Sequence, residues 1–397
     1  MANLQEFRTS ILAKHGANNA EVEELLTYNK NIFDHSILDQ SIALPLTPEA
    51  HIPVWEEYVQ KATEIGAYNA LKQYLVQLQF PIQKDISQTE TYRAATRKGI
   101  CVGSGIENSG LSLQQPDKLE LILYPSLAGT IPVLLTSNRD DFISLVQALT
   151  FHNEPQTIPA SMGACTVSGF NNWDRIHRYR QQWEKLDPKN CSNAAWSQEF
   201  RQIIPRKELY QDRFMILSTG SYSNVTASEL GLSREEWQKL SLKIRLEHES
   251  THYFTYRLFH SMRNNLLDEL IADYIGIVAA IGYYRADWFL RFLGLEVFPN
   301  YREGGRLQNY RGKPPLSNRA FQVLQSLTKA AAEQLENFDT KYANKPRDPY
   351  IQALILMSLS YLTLEELASP EANVRIQYLV DKLQKIHPQQ GQLTLSR

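Results

Sequence analysis

One short run has the residue types and spacing of a metal site: His248, Glu249 and His252, in the pattern H-E-x-x-H. On a helix, residues four apart share a face, so both imidazoles can turn toward a single ion. Zinc accepts imidazole nitrogens, activates a water and polarises a carbonyl. Glu249 sits beside the pair, where a carboxylate can take a proton from that water without being a ligand. The chemistry expected of such a set is hydrolysis. The chain has nine histidines, and in such a chain the pattern arises by chance on the order of once in a hundred sequences.

A second segment narrows the reading. A helix is predicted to start near Asn265 and to carry Asp268-Glu269-Leu270-Ile271-Ala272-Asp273. Glu269 and Asp273 lie one turn apart on one face. A catalytic zinc needs three protein ligands and an open position, and two histidines with a glutamate are a standard set. Glu269 completes that set if the chain reverses between 259 and 264. Asp273 can then accept the second N–H of a ligand histidine and fix its tautomer. These carboxylates stand among Leu266, Leu267, Leu270, Ile271, Ile275, Ile277 and Val278. Unpaired burial there is costly, so they need partners.

The positioning element for the histidines is predicted independently. Ser233-Arg234-Glu235-Glu236 has the S-x-x-E form of a capping box. Trp237, Leu240, Ile244 and the two histidines follow at helical spacing, and neither Pro nor Gly interrupts residues 233–259.

H-E-x-x-H followed by E-x-x-x-D resembles the gluzincin metallopeptidases, the thermolysin-like group, over residues 248–273. The resemblance implies one Zn2+ ion held by His248, His252 and Glu269, Glu249 as general base, and Asp273 behind a ligand histidine. It implies a peptide or protein substrate. It also implies an upstream edge strand that pairs with that substrate. Residues 214–226 are the place for it, with Ser221, Tyr222, Ser223, Asn224 and Val225 offering backbone groups. A donor must stabilise the oxyanion beside the metal, and the candidates are Tyr283, Tyr284, His260 and Arg285. Tyr283 and Tyr284 equally suit closure of a buried helix, and His260 the C-terminal cap of its own. Two other functions fit the same motif. One is a zinc hydrolase or modifying enzyme for a single dedicated peptide or a non-peptide amide. The other is a non-catalytic binding or scaffold protein of zincin fold.

The fold class expected is α+β and helix-rich. A zincin-like core, made of a small mixed sheet with an active-site helix and a ligand helix, carries helical additions at both ends. Residues 1–95 read as a helical packing subdomain or lid. Residues 96–230 read as an α+β region, with strands over 119–124, 131–136, 164–168 and 214–218 and helices over 140–151 and 173–186. Pro132 suits an edge or the start of its strand. Residues 231–397 read as helical, with further helices over 317–343, 350–367 and 370–386, the last capped by Ser369. The Gln-rich tail after His387 is expected to fray.

The net charge of −2, with 43% hydrophobic and 21% charged residues, is that of an ordinary globular chain. No run of like charge suggests nucleic acid or anionic lipid, and no apolar run is long enough to span a membrane. Cys101, Cys165 and Cys191 are odd in number and far apart, which points to reduced thiols and the cytoplasm. The run from Gly99 to Gly105 completes no phosphate-loop pattern, and no G-x-S-x-G elbow is present. Oligomeric state is left open.

Overall fold

The computed structural model describes residues 2–100, 110–262, 265–342 and 348–388. The glycine-rich run from Cys101 onward and the tail beyond Pro388 lie outside the described residues. In chain order the elements are α1 (Ala2–Lys14), α2 (Asn19–Tyr28), α3 (Ile52–Ile65), α4 (Ala67–Tyr74), α5 (Glu90–Lys98), β1 (Glu120–Ser126), β2 (Gly129–Thr136), α6 (Arg139–Thr150), β3 (Ala164–Asn171), α7 (Trp173–Leu186), α8 (Asn193–Ile203), β4 (Gln211–Ser218), α9 (Arg234–Phe259), α10 (Leu266–Ile281), α11 (Ala286–Leu293), α12 (Asn318–Tyr342), α13 (Pro349–Tyr361), α14 (Leu364–Leu367) and α15 (Ala372–Ile386). The protein is helix-rich α+β. No helix among the described residues is long and apolar enough to cross a membrane.

The chain divides into two compact units, Met1–Thr47 with Ser126–Ala128 and Ser221–Arg397, and Pro48–Pro125 with Gly129–Gly220. This corrects the three-segment division. Residues 1–47 are part of the helical unit, and residues 48–95 are part of the sheet unit. Sequence periodicity identifies helices but does not say which core their apolar faces join.

In the sheet unit the four strands run in the order β1-β2-β4-β3. β2 and β4 are parallel, Val133 opposite Met215, and β3 and β4 are antiparallel, Val167 opposite Phe214. Pro132 precedes the β2–β4 pairs by one residue, so its missing N–H takes nothing from them. Trp55, Leu71, Leu75, Leu134, Phe142, Val146, Phe214 and Ile216 fill the core. Within the stretch predicted helical, α3 ends at Gly66, whose φ of 83° lets a new helix, α4, start at Ala67.

The helical unit is organised on α9 and α10. Ser233 opens α9 by accepting from the Glu236 N–H, a cap that contributes about 1 kcal/mol. Asn265 opens α10 by accepting from the Asp268 N–H. Leu266 through Val278 are all buried, so α10 is covered on every side. Gly276 sets its approach to α9: a Cβ there would stand 2.8 Å from the Ile244 carbonyl oxygen. Toward the C-terminus the predicted helix 350–367 is two, because Thr363 makes a full capping box and opens α14. Ser369 closes α14, its Oγ donating to Glu366 O at 2.8 Å, and so does not cap α15.

Candidate metal centre

His248 and His252 project from α9, and Glu269 from α10, to one point. The two Nε2 atoms are 3.0 Å apart. His248 Nε2 is 3.5 Å from Glu269 Oε2, and His252 Nε2 is 3.6 Å from Glu269 Oε1. Among the described residues, this is the one group of three His, Cys, Asp or Glu side chains whose ligand atoms gather as a metal ion requires.

The far nitrogens are held by carboxylates. His248 Nδ1 donates to Asp273 Oδ1 at 2.8 Å. His252 Nδ1 lies 3.1 Å from Asp268 Oδ2, off hydrogen-bond alignment. Asp268 was given no role by the sequence reading. Its only signal was being a third carboxylate in an apolar helix. Three further residues complete the arrangement: Tyr222, which the sequence suggests only for a substrate strand, and Arg306 and Tyr310, which carry no sequence signal. Tyr222 donates to Asp273 Oδ1 at 2.6 Å and stands 2.9 Å from His248 Nδ1. Arg306 donates to the Tyr222 hydroxyl at 2.9 Å and pairs with Asp273 Oδ2. Tyr310 donates to Glu269 Oε2 at 2.8 Å.

The electrostatics ask for a cation. With His248 Nδ1 bonded to Asp273 and His252 Nδ1 beside Asp268, the two Nε2 atoms face each other at 3.0 Å. Two bare acceptors repel at that distance, so a proton or a metal ion must sit between them. Of the groups bonded directly to the imidazoles and their carboxylates, three are carboxylates (Asp268, Glu269, Asp273) and one is a guanidinium (Arg306). A divalent ion would balance the two negative charges that remain. Burial opposes charge on Glu269, yet the His252 imidazole holds its carboxyl well below the usual range. Burial likewise opposes charge on Asp273, but Arg306 and then His248 hold it low. Asp268 is pushed up by burial, against the pull of His252. Burial disfavours charge on His252 too, but Asp268 and then Glu269 raise it, as expected of a site that attracts a cation. Burial keeps Tyr222 and Tyr310 protonated, as donors.

Exposure is graded across the cluster. The side chains of His248, His252 and Glu269 are 7, 10 and 7% exposed, against 0% for Asp273 and 1% for Asp268. The three candidate ligand side chains are thus slightly more exposed than the carboxylates behind them. Glu249 follows His248 on α9 and is half-buried.

One expectation is corrected. β4 stops at Ser218 and is an interior strand of the sheet, not an edge. Residues 221–225 form no strand: Tyr222–Asn224 is a 3-10 turn. Their polar groups are used internally. Ser221 O accepts from Arg245, Tyr222 N–H donates to Ser241 Oγ, Ser223 Oγ accepts from Arg306 and Val225 O accepts from Trp237 Nε1. Of the four proposed oxyanion donors, Arg285 alone has its donor group engaged by another side chain among the described residues. Tyr283 is 49% exposed beyond the end of α10. Tyr284 is buried against Tyr274, its backbone N–H bound to Asp339 and its hydroxyl without a hydrogen-bond partner. His260 ends α9 with a φ of 55°, and Arg285 pairs with Asp287.

Comparison with the curated proteins returned no match, and comparison with the solved structures returned none. The chain belongs to a family of unknown function, DUF7005, whose pattern matches residues 10–371.

Proposed function

We propose that this chain is a zinc-dependent hydrolase acting on peptide bonds, a metallopeptidase of gluzincin type with a zincin-like core. The observation that carries the reading is the buried convergence of His248, His252 and Glu269, with Asp273 bonded to His248. Two imidazoles and one carboxylate suit zinc, and they leave a position open for chemistry. When bound, the ion supplies Lewis acidity to a water and to the scissile carbonyl.

The chain's own residues do the rest. Asp273 and Asp268 orient the imidazoles so that each Nε2 faces the site. Glu249 takes the proton of the attacking water and delivers it to the leaving amine, returning to its starting state. The near-complete burial of the three ligands limits competing water. Widely spaced cysteines support action in a reducing cytoplasm.

The test is metal content together with a general-base variant. Purified protein is expected to hold about one zinc per chain, lost in His248→Ala. Glu249→Gln should keep the zinc and lose about 10²–10⁴-fold in peptide cleavage. Protein without zinc, or a Glu249→Gln variant as active as wild type on every cleaved peptide, sinks the proposal.

A further inference from the structure

We infer that Arg306 and Tyr310 are positioning residues, the two ends of a clip that fixes both carboxylates of the ligand helix for metal binding. The inference rests on reading His248, His252 and Glu269 as metal ligands. Glu269 and Asp273 stand one turn apart on α10. Arg306 and Tyr310 are the first and last residues of a 3-10 turn between α11 and α12. Arg306 takes Asp273, and Tyr310 takes Glu269. The clip therefore spans the same pair of carboxylates that faces the histidines of α9.

Each contact settles something the ligands cannot settle alone. The Tyr310 hydroxyl holds Glu269 Oε2 at 2.8 Å, which fixes the plane of the carboxylate and turns Oε1 to His252 Nε2, 3.6 Å away. Arg306 occupies Asp273 Oδ2 and leaves Oδ1 to His248 Nδ1 and the Tyr222 hydroxyl. Without it, a fully buried carboxylate would keep one oxygen unpaired, at a cost large enough to turn the side chain away from His248.

The clip is itself anchored. Tyr28 donates to the Tyr310 carbonyl at 2.5 Å. Glu24, also on α2, accepts from Ser317 N–H and Oγ at 2.6 and 2.7 Å. Arg306 also donates to Ser223 Oγ at 3.1 Å. Ser223 and Asn224, with φ of 50° and 58°, are consecutive non-glycine residues in left-handed backbone. Such a conformation persists only where its surroundings impose it, and here it presents Tyr222 to Asp273. Buried ionic contacts of this kind stabilise a fold no better than apolar packing would. Their convergence on the ligand helix is what gives them a use.

The test measures zinc affinity of the full chain by chelator competition, and the visible absorption of the cobalt(II)-loaded protein. Tyr310→Phe and Arg306→Met are each expected to weaken zinc binding about 10–100-fold. Tyr310→Phe should also shift the cobalt band, because Glu269 is free to turn. Arg306→Lys should recover part of the affinity, since it keeps the charge without the planar fork. Circular dichroism and melting of the chelated proteins check the fold. If Arg306→Met does not fold, Tyr310→Phe, which removes one hydroxyl, decides. Folded variants with wild-type affinity and an unmoved cobalt band overturn the clip and leave the metal reading standing. Affinity lost only in step with the melting temperature of the chelated protein, with the band unmoved, reduces both residues to structural support and also overturns it. Wild-type protein that binds neither ion overturns the metal reading itself, and the clip with it.

Discussion

The sheet unit buries a carboxylate of its own. Asp212 on β4 accepts from Arg175 at 2.6 Å on Oδ1, and from Trp55 Nε1 and Asn172 Nδ2 at 2.8 and 2.7 Å on Oδ2. One carboxylate meets one guanidinium, and both oxygens are satisfied by protein donors. The helical unit uses similar parts differently. Around His248 and His252, three carboxylates meet one guanidinium, and two imidazole nitrogens face each other. Burial is nearly complete in both units, so burial alone does not separate structural from functional polar groups. Closure does. A network whose charges and donors balance within the chain holds the fold together, whereas one left with negative charge beside two facing imidazole nitrogens can take up a cation, whether a proton or a metal ion.

Three perturbations bear on that contrast. The largest effect is expected at the closed network. Asp212→Ala leaves Arg175 buried and unpaired and should cost about 3–5 kcal/mol in denaturant unfolding. The loss should be the same with and without chelator; a loss that zinc restores would mean the two networks are not independent. Next comes Gly276→Ala, whose Cβ would press on the Ile244 carbonyl at 2.8 Å, one turn before His248. It should cost about 1–3 kcal/mol and, unlike Asp212→Ala, should also weaken zinc binding, because the two ligand helices are forced apart. Unchanged zinc affinity would show that the site tolerates their displacement. The smallest effect concerns His51, beside the closed network, facing Asp212, Glu49, Arg175 and the Arg213 backbone. Burial, above all, holds its imidazole below the usual histidine value, and its Nε2 has no hydrogen-bond partner. The unfolded chain therefore binds the proton first. Stability present above about pH 6.5 is lost as pH falls below it. His51→Gln should make the fall in melting temperature between pH 7 and pH 5 shallower, and an unchanged slope would remove His51 from that balance.

Local pattern made much of this protein legible. The four strands stand where short apolar runs lie between turn residues, and Asn172 caps α7 as its position before Trp173 suggests. Helix junctions were less legible, because Gly66, Thr363 and Ser369 act through backbone conformation and capping that a regular apolar repeat overrides.

By itself the sequence determined the local half of the candidate centre. Helical spacing and caps at Ser233 and Asn265 place His248 with His252 on one helix face and Glu269 with Asp273 on another. These are properties of neighbours within a turn. Only the tertiary structure decided that the two faces meet, that Asp268 stands behind His252, and that Tyr222, Arg306 and Tyr310 close on the ligand helix. It also made Tyr222–Asn224 a 3-10 turn and β4 an interior strand. The physical reason is sequence distance. Tyr310 and Glu269 are separated by 41 residues, and Tyr222 and Asp273 by 51. No periodicity links such pairs, and only the packing of whole helices brings their hydroxyls and carboxylates together.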